Sequence, residues 1–377
     1  MKQFFKKCMS VLLAGSMLAV ALLGFSGCGK EVGFFIGASG PLTGDAASYG
    51  IAVQRGAQLA VKQLNEKGNV KFRFEIKDDA ALAGTAGANY DLLFDAGMQA
   101  SLSGVTSGAA EAFVDKAGKD KLFCLSPSAS ADPVIEKNDY SFRLCFGDPD
   151  QGKLAAQWIK ENMPTGKIGA LYNTSDSYSS GIYTAFQAEM GTLGLSYTEK
   201  TFDNENKSDF SSQADALKDC DVIFLPFYYT EASLFTKAAT LKGCRATYFG
   251  CDGFDGISDM ISDVKRTNRV MYITPFDIES QDPNTKAFVE AFRAEYNADP
   301  DQFAADAYDA MMVIADAISK AGITDYTVKP DVLSEAIIKV ITANEYSYTG
   351  LTGTMKWQKN GACVKAPVIK VLSDPER

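Results

Sequence analysis

The sequence contains no histidine among its 377 residues, and its eight cysteines form no C-x-x-C pair. Structural zinc sites are built from sets of cysteine and histidine, so the sequence predicts no metal centre. The missing histidine also excludes a cysteine–histidine catalytic pair and leaves few general bases that work near neutral pH. We therefore expect a protein that is not an enzyme.

The chain also lacks the motifs of nucleotide-binding proteins. Neither G-x-G-x-x-G nor G-x-x-x-x-G-K-[ST] occurs anywhere in it, which argues against a phosphate-bearing cofactor. No tandem repeat of solenoid period and no low-complexity linker is visible. The formal net charge of −10 argues against nucleic acid as a partner.

The amino terminus has the pattern of a secretory signal. Three lysines lie within the first seven residues, and an apolar run from Val11 to Phe25 follows that is short for a membrane span. Ser26 and Gly27 then precede Cys28, so the segment resembles a bacterial lipoprotein signal. We expect a signal peptide over residues 1–27 and a lipid attached to Cys28. An ordinary secretory signal or an uncleaved anchor is the alternative.

The first unit after this segment is strand, glycine-rich loop, helix, strand. An apolar run at Phe34–Ala38 leads into the loop Ser39–Gly44, and a helical pattern ends near Asn65. Gly68 stands where a left-handed C-cap would end that helix. A second strand-like run covers Phe72–Lys77. In a parallel sheet such a loop lies at the carboxyl edge, where open α/β folds bind small molecules.

Strand-like and helix-like segments alternate along the rest of the chain, and the turn stretch Gly147–Gly152 divides them into two series. The predicted segments are a helix near Ala86–Ala96, a strand near Ala100–Val105, a helix near Ala109–Lys119, strands at Leu122–Ser126 and Phe142–Phe146, then a helix at Lys153–Met163, a strand at Ile168–Tyr172, a helix through Ala185 and Met190, and strands at Val222–Phe227 and Ala246–Gly250. Val270–Thr274, followed by Pro275, has the pattern of a return connection. About 350 residues are too many for one compact core. This pattern predicts two α/β lobes, each with a parallel sheet covered by helices on both faces.

Three further features concern the second half of the chain. Apolar residues at helical spacing predict a core helix over Gln302–Ala321. Met355–Gln358 and Ala366–Leu372 flank an Asn-Gly pair, which predicts a hairpin. Cys220 and Cys244 each precede a strand-like run, so they could form a disulfide or remain free buried thiols.

Several motifs closely resemble the periplasmic leucine/isoleucine/valine-binding proteins, which are type I solute receptors of ABC importers. They are Ser39-Gly40-Pro41-Leu42-Thr43-Gly44 with Tyr49-Gly50 and Asp78-Asp79, Thr106-Ser107-Gly108-Ala109, Ser126-Pro127-Ser128-Ala129-Ser130, Phe142-Arg143 with Gln151-Gly152, and Gly250-Cys251-Asp252-Gly253. The resemblance implies two doubly wound parallel-sheet lobes joined by a three-segment hinge. Residues 31–146 and 276–352 would form lobe 1, and residues 147–275 and 353–377 lobe 2.

A receptor for a free amino acid needs hydrogen-bond donors for the carboxylate and an anion for the ammonium group. Ser107 stands between a strand and a helix as a natural N-cap, and it could serve the ligand or only its helix. The resemblance implies that Ser128 offers its carbonyl to the ligand, and Ser130 its hydroxyl and amide. It also implies that Asp252 pairs with the ligand ammonium, with aspartate in place of the glutamate of the best-known relatives.

Aromatic residues complete the predicted site. The resemblance places Tyr49, Tyr178 and Tyr228 facing the cleft and Phe303 against the ligand side chain. Lys77-Asp78-Asp79 could be an acid pair for catalysis, but a solvated strand end is the simpler interpretation, and the resemblance implies a structural role near the cleft.

Taken with this resemblance, the sequence predicts a monomeric, lipid-anchored receptor outside the cytoplasm. It would bind an amino acid, branched-chain or similar, and deliver it to the permease and ATPase subunits of an ABC transporter. Three alternatives stay open: a receptor for small amides or urea-like solutes, a sensor that acts through a separate partner, and a hydrolase. For the hydrolase the only motif is Ser262-Asp263-Val264-Lys265, which resembles S-x-x-K by chance spacing.

Overall fold

The computed structural model describes residues 32–266 and 268–372. The predicted signal peptide and Cys28 lie outside the described residues. The helices are α1 (Ala47–Lys67), α2 (Ala83–Asp95), α3 (Ser107–Lys119), α4 (Pro133–Glu136), α5 (Asp148–Asn162), α6 (Ser177–Thr192), α7 (Ser211–Leu217), α8 (Tyr229–Leu241), α9 (Ile257–Met260), α10 (Pro283–Tyr296), α11 (Gln302–Lys320) and α12 (Pro330–Ile341).

A five-stranded parallel sheet, here called sheet I, is built from the first part of the chain. Its strands are β1 (Phe34–Gly40), β2 (Phe72–Asp78), β3 (Ala100–Gly104), β4 (Cys124–Ser126) and β5 (Ser141–Arg143). They lie in the order β2-β1-β3-β4-β5, and every pair is parallel. β1 and β3 are buried along their whole length, as expected for central strands covered by helices on both faces.

A second sheet of six strands, sheet II, follows. Its strands are β6 (Ile168–Asn173), β7 (Thr198–Phe202), β8 (Val222–Leu225), β9 (Thr247–Gly250), β10 (Val270–Thr274) and, from the chain end, β14 (Val368–Val371). The order is β14-β10-β9-β8-β6-β7, and β14 alone runs antiparallel. The predicted α/β class with two parallel-sheet lobes is confirmed; the lobe boundaries and the hinge stay predictions.

A small third sheet shows that the predicted hairpin is only half right. β11 (Tyr348–Gly350), β12 (Gly353–Trp357) and β13 (Cys363–Val364) are antiparallel neighbours. β12 thus pairs with β13, and the run predicted as its partner contributes β14 to sheet II instead. The Asn-Gly turn forms, with Gly361 at φ +85°, but the turn does not decide which strand comes next.

Helix α1 packs along α11, and small residues permit this close approach. A Cβ on Gly56 would lie 2.0 Å from the carbonyl oxygen of Ala304, so only glycine fits there. Gly68 ends α1, but at φ −100° rather than in the predicted left-handed conformation; its added Cβ would lie 2.9 Å from the carbonyl oxygen of Leu64. Within the described ranges, no helix has both the length and the apolar character needed to cross a membrane.

Candidate functional site

The order of strands places one crevice at the carboxyl edge of each sheet. In sheet I the chain passes from β1 to its neighbour β2 on one side and from β3 to its neighbour β4 on the other side. In sheet II it diverges in the same way, from β6 to β7 and from β8 to β9. Ligands of open α/β sheets bind at such points. Tyr49 and Ser107 follow β1 and β3, whereas Tyr178 and Tyr228 follow β6 and β8. Four predicted site residues therefore lie at the two crevices.

Asp252 is the centre of a buried hydrogen-bond network. It begins a short 3-10 turn, Asp252–Phe254, directly after β9. Its Oδ1 accepts hydrogen bonds from the Tyr178 hydroxyl at 2.5 Å and from the amide of Gly253 at 3.0 Å. The Tyr178 hydroxyl also accepts from the Gly253 amide at 2.9 Å. These bonds fix the orientation of the carboxylate.

Burial raises the pKa of Asp252 to about 6, because the charged form loses its hydration. The Tyr178 hydroxyl, the Gln151 side chain and the Gly253 amide lower this pKa by stabilising the carboxylate. The hydrogen bonds from Tyr178 and Gly253 thus favour the ionised form of Asp252, which an ammonium partner requires.

The four predicted aromatic residues lie together. The Tyr178 and Tyr228 rings stack at a centroid distance of 4.9 Å, and Tyr49 meets Tyr228 edge-on at 5.7 Å. The Phe303 and Tyr49 rings are 4.3 Å apart. The Tyr49 hydroxyl donates to the carbonyl of Gly253 at 2.5 Å, so α1 of the sheet I half contacts the turn after β9 of sheet II.

The predicted serines follow strands of sheet I, as expected: Ser107 begins α3 after β3, and Ser128 and Ser130 lie just past β4. Two of their side chains form hydrogen bonds with other groups of the protein. Thr106, not Ser107, is the N-cap of α3, and the Ser107 hydroxyl accepts from the amide of Ala131 at 3.3 Å. Helix ends vary by a residue, which is why the sequence pattern placed the cap one position late. The Ser128 hydroxyl donates to the carbonyl of Val105 at 2.8 Å. Ser130 is fully buried, and its hydroxyl has no hydrogen-bond partner in the described chain.

A cavity of about 300 Å³ opens between the two crevices. Thr106 and Gly108 line it from the sheet I side, and Asn173 and Tyr228 from the sheet II side. Its rim is charged, since Asp45, Asp176, Lys207 and Glu231 complete the lining together with Ala46, Ala80, Ala81, Leu82 and Asn204.

Sequence reasoning missed two glutamines that hold Asp252 in place. The Gln151 side chain accepts from the Asp252 amide at 3.0 Å. Gln302, the first residue of α11, donates to the Asp252 carbonyl at 2.6 Å. Gln151 belongs to the Gln151-Gly152 motif named above, so the motif could have identified it as a site residue. No local sequence pattern identifies Gln302 in this way.

The structure corrects the interpretation of Asp78 and Asp79 as a solvated strand end. Asp79 is fully buried, and its Oδ2 accepts from the Ser39 hydroxyl at 2.7 Å. Asp78 accepts from the amide of Leu42 at 2.8 Å and from the Thr43 hydroxyl at 2.6 Å. The pair therefore fastens the glycine-rich loop to β2 at the edge of the cleft.

Other candidate chemistry finds little support in the described residues. Ser262 donates to the carbonyl of Asp259 in an exposed turn. Cys220 and Cys244 are free thiols. Across residues 32–266 and 268–372, no group of three or more cysteine or carboxylate side chains is arranged to hold a metal ion.

Two parallel-sheet halves with a buried polar and aromatic cluster between their carboxyl edges are the architecture of a two-lobed solute receptor. The chain belongs to the periplasmic binding protein family, whose sequence model matches residues 34–368.

Relatives of the chain are named for binding branched-chain amino acids or for their transport. The chain is 30% identical over 328 residues to a leucine-, isoleucine-, valine-, threonine- and alanine-binding protein of Pseudomonas aeruginosa, covering 85% of this chain and 86% of that one. It is 28% identical over 296 residues to a Leu/Ile/Val-binding protein of Rhizobium johnstonii, covering 76% and 79%. The structure is similar to the branched-chain amino acid transporter substrate-binding protein LivJ of Streptococcus pneumoniae in complex with isoleucine, with a TM-score of 0.79, 26% identity, and coverage of 92% and 97%.

Proposed function

We propose that the protein is the substrate-binding receptor of an ABC importer and that it binds a branched-chain or similar amino acid between its two halves. The observation that carries this proposal is the buried Asp252 carboxylate, which Tyr178 and Gly253 hold in position at the edge of sheet II. Relatives named for binding leucine, isoleucine and valine support the same ligand class.

In this proposal the two ends of the zwitterion are held from different halves. Ser107, Ser128 and Ser130 lie at the carboxyl edge of sheet I and supply amides, carbonyls and a hydroxyl. Asp252 accepts the ammonium group from the side of sheet II. The rings of Tyr49, Tyr178, Tyr228 and Phe303 surround the ligand side chain. A ligand that contacts both halves favours the closed arrangement by the contacts it gains there.

The proposal extends to the location and partners of the protein. After cleavage at the predicted signal, Cys28 would carry a lipid and keep the receptor at the outer side of the cytoplasmic membrane. The receptor would act as a monomer without a cofactor and without catalysing a reaction. It would deliver its ligand to the permease and ATPase subunits of the transporter.

A thermal-shift screen of the purified protein tests the ligand class. Only a ligand that prefers the folded state raises the unfolding midpoint. We expect leucine, isoleucine or valine at millimolar concentration to raise it by several degrees, with urea and acetamide having no effect. A shift by the amides alone would contradict the amino-acid assignment and favour the amide receptor.

A further inference from the structure

Arg143, the last residue of β5, carries a buried charge that the proposed function does not use. Its side chain is 6% exposed, and Nη1 donates to the carbonyl of Ser130 at 2.8 Å and to Oδ1 of Asp132 at 2.9 Å. The Asp132 side chain is 39% exposed, and ion pairs that reach solvent contribute little. Because burying a cation is costly, the pair with Asp132 does not by itself explain this position of the guanidinium. The contact with Ser130 is the second reason for it.

The Ser130 carbonyl determines how this residue faces the cleft. It accepts from Arg143 and, at 3.1 Å, from the amide of Asp148, the first residue of α5. The Ser130 hydroxyl, by contrast, has no hydrogen-bond partner within residues 32–266 and 268–372. The two bonds to the carbonyl fix the peptide group that follows Ser130. They thereby set the direction of a hydroxyl that is itself left free for a ligand.

The same guanidinium lies against the point where the chain passes from sheet I to sheet II. β5 belongs to sheet I, and Gly147 precedes α5, which leads to β6 of sheet II. A Cβ on Gly147 would lie 2.2 Å from Nη2 of Arg143 and 2.7 Å from its Cζ. No side chain fits between Gly147 and the guanidinium. One cation thus contacts both the predicted binding loop and a passage between the two halves.

The main chain of Arg143 is held from a second direction. Nε1 of Trp357 donates to its carbonyl at 2.9 Å, and its amide donates to the carbonyl of Gly361 at 3.1 Å. Trp357 ends β12, and the chain continues through β13 to β14 in sheet II. The guanidinium is therefore carried by a backbone that the last passage to sheet II keeps in place.

We propose that Arg143 is a positioning residue for ligand binding, because its guanidinium fixes the Ser130 carbonyl relative to Gly147 and so directs Ser130 towards the ligand. Arg143 itself does not touch the ligand and acts through Ser130. A guanidinium suits this role, since its planar fork presents several donors in a fixed geometry. The link makes the orientation of Ser130 depend on the placement of α5, and hence on the arrangement of the two halves. This inference rests on the proposed function.

Calorimetric titration with L-isoleucine tests this role in variants whose folding is verified by urea denaturation. We expect Arg143→Met to weaken binding about tenfold or more, because the Ser130 carbonyl loses a charge-assisted donor. Arg143→Lys keeps a cationic donor on a shorter side chain, so it should lose less affinity than Arg143→Met. Asp132→Asn is the control, because it removes only the partly exposed ion pair. It should bind like the wild type.

Gly147→Ala displaces the guanidinium without removing it. The added Cβ would overlap Nη2 of Arg143, so we expect this variant also to weaken binding about tenfold. Gly191→Ala is its control, since a Cβ there meets nothing within 4 Å, and its affinity should equal that of the wild type. If Arg143→Met does not fold, Gly147→Ala and Arg143→Lys provide the test.

A double-mutant cycle with Ser130→Ala separates positioning from a purely structural role. If Arg143 acts through Ser130, Arg143→Met should cost less than about threefold in affinity once the Ser130 hydroxyl is gone. An equal loss with and without Ser130→Ala would overturn the inference and leave the proposed function intact. Wild-type affinity in Arg143→Met or in Gly147→Ala, or an equal loss in Asp132→Asn, would do the same. A wild type that binds no amino acid would overturn the proposed function itself.

Discussion

One residue at the cleft, Ala80, has a backbone conformation that is unfavourable for a residue with a side chain. Ala80 has φ +50° directly after the Asp78–Asp79 pair and lines the cavity. A side chain in the left-handed region costs energy that glycine avoids. We expect Ala80→Gly to raise the free energy of unfolding by about 0.5–1 kcal/mol, measured by urea denaturation.

The same alanine-to-glycine substitution at a neighbouring helical position should lower the free energy of unfolding instead of raising it. Ala83 is the first residue of α2, is exposed and has no positive φ. Ala83→Gly should lower stability by up to about 1 kcal/mol, because glycine pays more backbone entropy in a helix. Equal effects of the two substitutions would show that strain at position 80 does not contribute.

At the scale of elements, a buried ion pair joins α11 to the segments around the small sheet. The Lys365 ammonium, whose side chain is fully buried, contacts Asp306 at 2.8 Å and the Thr352 hydroxyl at 2.6 Å. Lys365→Met leaves the Asp306 charge buried and unpaired, so we expect a loss of about 3 kcal/mol or more in urea denaturation. The double variant Lys365→Met/Asp306→Leu should recover most of that loss.

The same pair predicts a pH dependence. Burial raises the pKa of Asp306, and Lys365 lowers it. Without the lysine the pKa of Asp306 rises further. The folded state then binds a proton more readily than the unfolded state does. The stability lost in Lys365→Met therefore becomes smaller as the pH falls. Lys359→Met, at an exposed turn position, is the control and should leave stability unchanged. A deficit independent of pH would contradict a charge-based cause.

The elements also show what the sequence could and could not predict. Apolar runs and helical spacing predicted most strands of both sheets and the long helix α11, because these segments are buried along most of one face. Strand β7 was missed because it is an edge strand whose residues are mostly polar and exposed. The pairing of β14 with β10 joins segments about a hundred residues apart, and no local pattern encodes such a partner.

For the site, the sequence motifs predicted Asp252 and the four aromatic residues, which the structure brings together. Gln302 was not predicted as a site residue, because it begins a helix whose pattern indicates only a core position. Its importance depends on its contact with Asp252, a partner distant in sequence, which residue types and spacing do not reveal.

At the scale of the whole molecule, charged contacts connect the two halves at the rim of the cleft. Lys207 contacts Asp45, after β1 of sheet I, at 2.9 Å, and Glu231, after β8 of sheet II, at 3.0 Å. The Thr230 hydroxyl donates to the Asp45 carbonyl at 2.7 Å. The contacts of Asp45 with Lys207 and with Thr230 join the two halves, whereas the Lys207–Glu231 contact lies within the sheet II half. Under the proposed function, the contacts between the halves favour the closed arrangement.

Lys207→Met should therefore weaken amino-acid binding roughly two- to fivefold in calorimetry, the range expected of a partly exposed ion pair. The difference from wild type should disappear at about 0.5 M salt, where exposed charges are screened. Lys218→Met is the control, because Lys218 pairs with Asp215 within the same region of the sheet II half. A salt-independent loss, or an equal loss in the control, would argue against a role in closure.

The most direct test of the whole account is a calorimetric titration of wild type and Asp252→Ala with L-leucine and L-isoleucine at pH 7.5. The account predicts saturable one-to-one binding by the wild type. It predicts binding about tenfold or more weaker in Asp252→Ala, because the ammonium loses a buried charge-assisted acceptor. Equal affinities in the two proteins would contradict the central claim that this carboxylate binds the ligand.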